Sequence, residues 1–159
     1  MNDQKIERLI EECDRHLKRI NSAHLKMSEF MPLDEKTYQQ LNDDDIEHID
    51  QFLFRFAKLQ DAMGERLFRL LLELLQEENI RNKPFIDILN RLEQLGLLED
   101  KNVWLELKSI RNNIAHQYEN EPQSASEALN AIYAAKAILE KIYISLRASY
   151  ADMRDKFQF

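Results

Sequence analysis

Two glycines and three prolines are spread over 159 residues. Sheets need frequent turns, and turns draw on Gly, Pro, Asn and Asp. A chain with so few breakers folds into a small number of long helices, so all-β and doubly wound α/β folds are excluded. Gly64 and Gly96 lie far apart, which rules out a glycine-rich phosphate loop. The length suits one domain with a real core. The expected fold is all-α: an antiparallel bundle of four main helices plus one short helix, as a single domain over residues 1–159.

Apolar periodicity gives the helices. The first runs from about Gln4 to about Ser28, with Ile6, Leu9, Ile10, Cys13, Leu17, Ile20 and Ala23 on one face. Met31, Pro32 and Leu33 end it, and Glu35 to Leu41 reads as a loop or one short turn. The second, about Asp43 to Asn79, starts on Asn42 and an acidic first turn. Its stripe is Ile46, Ile49, Phe52, Phe56, Leu59, Met63, Leu67, Leu70, Leu71 and Leu74. Gly64 inside it predicts a close helix contact or a mild kink. The short helix has Asn82 as a cap, Pro84 in its first turn and Gly96 just past its end. The fourth spans about Lys101 to Ala115, with Trp104 as a core anchor. The fifth spans about Pro122 to Asp152, with Ser124 and Glu127 as a capping box. Leu129, Ile132, Tyr133, Ala137, Leu139, Ile142, Tyr143 and Leu146 are its expected buried residues. The tail 152–159, with Phe157 and Phe159, is expected to fray or dock on a partner.

The net charge is −7, opposite in sign to a general nucleic-acid coat. A small local RNA site is compatible with that sum. Residues 81–118 carry six basic and five acidic side chains, so the remainder of the chain holds −8. The single cysteine, Cys13, allows no intrachain disulfide and no cysteine metal cage. His16 and His24 are eight apart, which is not ligand spacing. His48 among the acids 43–50 reads as a solvated helix start. No metal and no cofactor are expected. The charged N-terminal stretch is no signal peptide, and no apolar run reaches the ~20 residues of a membrane span. The expected setting is the reducing cytoplasm, away from membranes.

One segment stands apart: Ile110-Arg111-Asn112-Asn113-Ile114-Ala115-His116-Gln117-Tyr118. Asn112 and His116 are four apart and share a helix face. Arg111 and His116 are five apart, about 140° on an ideal helix. Arg111 and Tyr118 are seven apart, nearly in line. An Arg is a permanent planar cation suited to phosphate, and a His moves protons near neutral pH. Asn112 can orient either. Together they suit metal-free RNA cleavage in which the 2′-hydroxyl attacks its own phosphate. One chain supplies one such His, so a symmetric dimer would be needed to supply both base and acid. The plain alternative is an ordinary basic helix C-terminus, favoured by the helix dipole. Asp61 and Glu65 can face this helix, where an ion pair would orient Arg111, although simple exposure explains them as well.

Arg111-Asn112-x-x-x-His116 resembles the Arg-x4–6-His signature of HEPN domains, and Tyr118 extends it to the Arg-x4-His-x-Tyr variant of HepT-like toxins. The run Phe54 to Gly64 is similar to the corresponding helix of those proteins, and the likeness extends over about Gln4 to Leu146. The resemblance implies a helical homodimer acting as a metal-independent endoribonuclease on RNA. Arg111 and His116 would be catalytic, with Asn112 in support. It also implies an MNT-type nucleotidyltransferase antitoxin that transfers AMP to Tyr118. Some relatives of this kind are instead non-catalytic substrate-binding or regulatory partners of a nucleotidyltransferase.

Overall fold

The computed structural model describes the backbone of residues 2–117 and 121–157, and the side chains of residues 4–115 and 121–156. Seven α-helices follow in order: α1 Asn2–Met27, α2 Glu35–Gln39, α3 Asp43–Ala62, α4 Phe68–Leu74, α5 Phe85–Gln94, α6 Lys101–Gln117 and α7 Pro122–Phe157. A π-helical segment, Met63–Leu67, joins α3 to α4 without a break. A 3-10 turn, Ile80–Asn82, precedes α5. No strand occurs among the described residues. The four rods, α1, α3 with its continuation through α4, α6 and α7, alternate in direction and enclose one core. The architecture is the all-α bundle expected from the scarcity of breakers.

The apolar stripes bury as their spacing requires. Ile6, Cys13 and Met27 on α1 are wholly buried, and Phe52, Phe56 and Leu59 on α3 meet them. Polar pairs set the register between rods. Tyr143 donates to Asp14 Oδ1 at 2.6 Å, and Arg147 donates to the same oxygen at 2.7 Å. Seven residues along α7, Tyr150 and Arg154 repeat this on Glu7 Oε1, at 2.8 and 3.2 Å. Seven residues back along α1 separate the two acceptors, so the two rungs lock α1 and α7 antiparallel. Between α1 and α3–α4, Arg66 grips both oxygens of Glu12, and Arg55 reaches His16 at 3.0 Å. Arg66 holds the Glu12 carboxyl below its usual range. Cys13 lies buried beside this pair, and burial pushes its thiol up to about 12.

Several expected boundaries move. The long helix stops at Leu74, not near Asn79, because Gln76 and Asn79 take left-handed backbone angles of +61° and +58°. Arg69 then ties the turn by donating to the Ile80 and Lys83 carbonyls. Residues 35–39 form a helix of about one turn, with Asp34 and Thr37 as a reciprocal capping box. Asn82 does not cap α5, whose first-turn carbonyl partner is Pro84. Gly96 lies just past α5 at φ +76°, where Leu97 and Gly96 donate back to Leu92 and Glu93. Ser124 and Glu127 form no box, since both sit inside α7, where Pro122 takes the first turn. Ile46 and Ala137 prove exposed. The tail is helical to Phe157, with Met153 buried and Arg154 bonded to Glu7, so the frayed end does not begin at 152. Gln158 and Phe159 lie outside the described residues.

At Gly64 the Trp104 side chain of α6 packs closely against the long rod. A Cβ built there would stand 3.0 Å from Trp104 Cζ2. Trp104 has no room to retreat, being 1 % exposed and set edge-on against Phe68 at 4.7 Å between ring centres. The close helix contact expected at Gly64 is present. Gly64→Val should therefore lower stability by about 2 kcal/mol through overpacking, which a melting curve would register as a fall of about 4–8 °C. A pH series tests the α1 histidines. Burial, the largest influence on each, holds the His16 and His24 rings below their ordinary 6.5. Below that value the unfolded chain binds more protons than the folded one, so stability falls as pH drops through 6.5 and below. The His16→Gln, His24→Gln double variant should show a flatter decline of melting temperature between pH 7.5 and 5.5.

Candidate functional site: the cleft between the π segment and α6

Helix α6 carries the Arg-Asn-x-x-x-His run in its last two turns. Ile110 and Ile114 pack against the core and leave the intervening side chains outward. Arg111 turns toward α3 and meets Asp61. Its Nη1 donates to Asp61 Oδ1 and its Nη2 to Oδ2, the latter at 3.2 Å. Both side chains are a little over one-third exposed, so the pair sits at a rim. The paired geometry fixes the guanidinium plane, as an Arg–carboxylate fork does. A guanidinium has five N–H donors, and this fork uses two of them. The ion pair between Asp61 and Arg111 is thus present, against the simpler expectation of exposure. Glu65 is exposed.

Asn112 is exposed on the next position of α6. The backbone of α6 extends through His116, one turn beyond Asn112, but the His116 side chain lies outside the described residues, as does all of Tyr118. Arg111 is brought into a cleft.

The cleft holds about 290 Å³. Gln60, Asp61, Gly64 and Glu65 form one wall, and Phe85, Trp104, Lys108 and Arg111 form the other. The π segment makes this wall. Its wider turn closes with Phe68 N–H bonded back to the Met63 carbonyl, five residues before it. Lys108 Nζ lies over the Phe85 ring at 4.7 Å from its centre. Among the described residues no group of three or more His, Cys, Asp or Glu is gathered to hold a metal ion. No helix is long and apolar enough to cross a membrane.

Beneath this cleft lies an anomaly. Gln60 is 2 % exposed, and neither its Oε1 nor its Nε2 has a hydrogen-bond partner. Trp104 Nε1 is equally buried and equally without one. Buried polar groups are nearly always paired, and each unpaired one costs about 1–3 kcal/mol. The position of Gln60 in the sequence carries a signal of this. It stands four after Phe56 and three before Met63, a polar residue on the apolar face. Trp104 is the core anchor expected of it, with an N–H that lacks a partner as Gln60 does.

Gln60→Leu keeps the side chain's shape and removes both unpaired atoms. It should raise stability by about 1 kcal/mol, seen as a gain of about 2–4 °C in melting temperature. Comparison with known proteins returns no family model, no curated protein and no solved structure that matches this chain.

Proposed function

We propose that this chain is a metal-independent endoribonuclease of the HEPN, HepT-like kind, acting as a homodimer. The observation that carries the reading is Arg111: its guanidinium is oriented by Asp61 at the rim of a cleft, five residues before His116 on one helix. Its remaining N–H groups can receive a phosphoryl oxygen. In the reaction, the ribose 2′-oxygen attacks the adjacent phosphorus and loses its proton to one His116. The bond from phosphorus to the 5′-oxygen breaks, and the leaving oxygen takes a proton from the His116 of the second subunit. Arg111 offsets the charge that builds on the phosphoryl oxygens, and Asn112 supports the geometry. The products are a 2′,3′-cyclic phosphate and a 5′-hydroxyl.

The partner this reading entails is an MNT-type nucleotidyltransferase. It moves AMP from ATP to the Tyr118 hydroxyl and releases pyrophosphate. An anionic group two residues from His116 blocks RNA by bulk and by charge. The same reading puts the protein in the cytoplasm.

A second reading is a non-catalytic module that presents a substrate to, or regulates, a nucleotidyltransferase. It is favoured by the net charge of −7 and by Asp61, whose carboxylate already answers the Arg111 charge.

Incubation with single-stranded RNA in EDTA separates the two. The wild type should cut the RNA and leave 2′,3′-cyclic phosphate ends, and His116→Ala should lose about 100-fold or more of the rate. Intact RNA after incubation with wild-type protein, its Tyr118 shown unmodified by mass, would sink the ribonuclease reading in favour of the second.

A further inference from the structure

The motif chemistry makes no use of Gln60, Trp104 Nε1, Phe85 or Lys108, yet these converge on the cleft where Arg111 sits. We infer that this cleft is a base-recognition subsite that takes one adenine of the bound RNA strand. The assignment of the ligand as RNA rests on the ribonuclease reading; the assignment of a base rests on the cleft itself.

A side-chain amide sets an acceptor and a donor side by side. Adenine presents the complement, its N6 amine beside ring N7, and a Gln pairs with that edge through two bonds. In Gln60 both of these atoms are unpaired, and Trp104 Nε1 adds a further unpaired donor suited to a ring nitrogen. Phe85 supplies an aromatic ring of the kind on which bases stack; Phe68 backs it, and a base would take the place of the Lys108 ammonium over the ring. At about 290 Å³ the cleft sits at the low end of ligand pockets, the scale of a base and not of a whole cofactor. Lys108 and Arg111 stand at the rim, where the attached phosphates would lie.

The orphaned atoms are closed off from water, so a base reaches them as rim side chains swing aside. Glu65 and Lys108 are exposed, line the cleft and can change rotamer there. Glu65 and Arg69 also line a second groove of about 440 Å³ that contains Lys5, Arg8, Arg66 and Arg81. That groove also holds Glu12 and Glu73, which pair with Arg66 and Arg81, so Lys5, Arg8 and Arg69 are the cations it adds for the neighbouring phosphates of the strand.

The test needs no catalysis. Trp104 is the single tryptophan, so its emission reports on the cleft. The wild type is titrated with AMP, GMP, CMP, UMP and ribose 5-phosphate, with calorimetry in parallel. AMP should bind about 10-fold more tightly than the other three nucleotides. Gln60→Leu, its fold checked by circular dichroism, should level the four affinities. Lys108→Ala should weaken all four alike and keep their order. Preference for another base, equal affinity for all four, ribose 5-phosphate binding as tightly as AMP, or no binding at millimolar nucleotide would each overturn the subsite. AMP preference without RNA cleavage would uphold the subsite while the ribonuclease reading fails. Cleavage with no base preference would do the reverse.

Discussion

The contact between Gly64 and Trp104 sets the distance between α6 and the long central rod. With a Cβ at position 64, the indole would have to give way by a few tenths of an ångström in a packed core where Phe68 already backs it. This one approach brings α6 near enough for Arg111 to reach Asp61, and it defines the floor of the cleft. The distant half of the molecule is held differently. There the Tyr–Arg rungs of α7 on Asp14 and Glu7 fix direction and register through charge-assisted bonds.

These two kinds of contact divide the labour. Apolar burial supplies most of the driving force but is non-directional. The polar rungs contribute modestly, because their groups are partly exposed and screened by water. Their value lies in rejecting a slipped pairing of α1 with α7. Around the cleft the balance reverses. Polar groups there are buried without partners, which works against stability. Real proteins accept such local conflicts chiefly where a surface has to do something besides fold.

Much of this was legible before any coordinates. The scarcity of Gly and Pro forces long helices, and the stripes on α1 and α3 name their buried faces. Position 64 was readable as a close approach because Gly inside a helix has a propensity cost that packing must answer. The Asp61–Arg111 pair was readable only as an option, since spacing along one helix says nothing about which neighbour faces it. The end of the long rod was not readable: Leu74, Leu75 and the polar residues after them continue a plausible pattern, and only left-handed angles at Gln76 and Asn79 stop it. The π segment left a faint trace. The buried series 49, 52, 56, 59, 63 alternates steps of three and four, then runs 67 and 71 in steps of four. Such a series drifts off a regular α-helix unless one residue is absorbed.

That absorbed residue has a consequence for how the cleft relates to the fold. A π turn holds one residue more than an α turn, so a chain one residue shorter between 63 and 67 could continue as plain α-helix with both apolar stripes still facing inward. The buried stripes of the rod would be kept. The widened turn that shapes the wall opposite Trp104 would be gone. Scaffold and recess are therefore separable by a single insertion, and a bundle of this design can gain or shed a binding hollow without having to invent a new core.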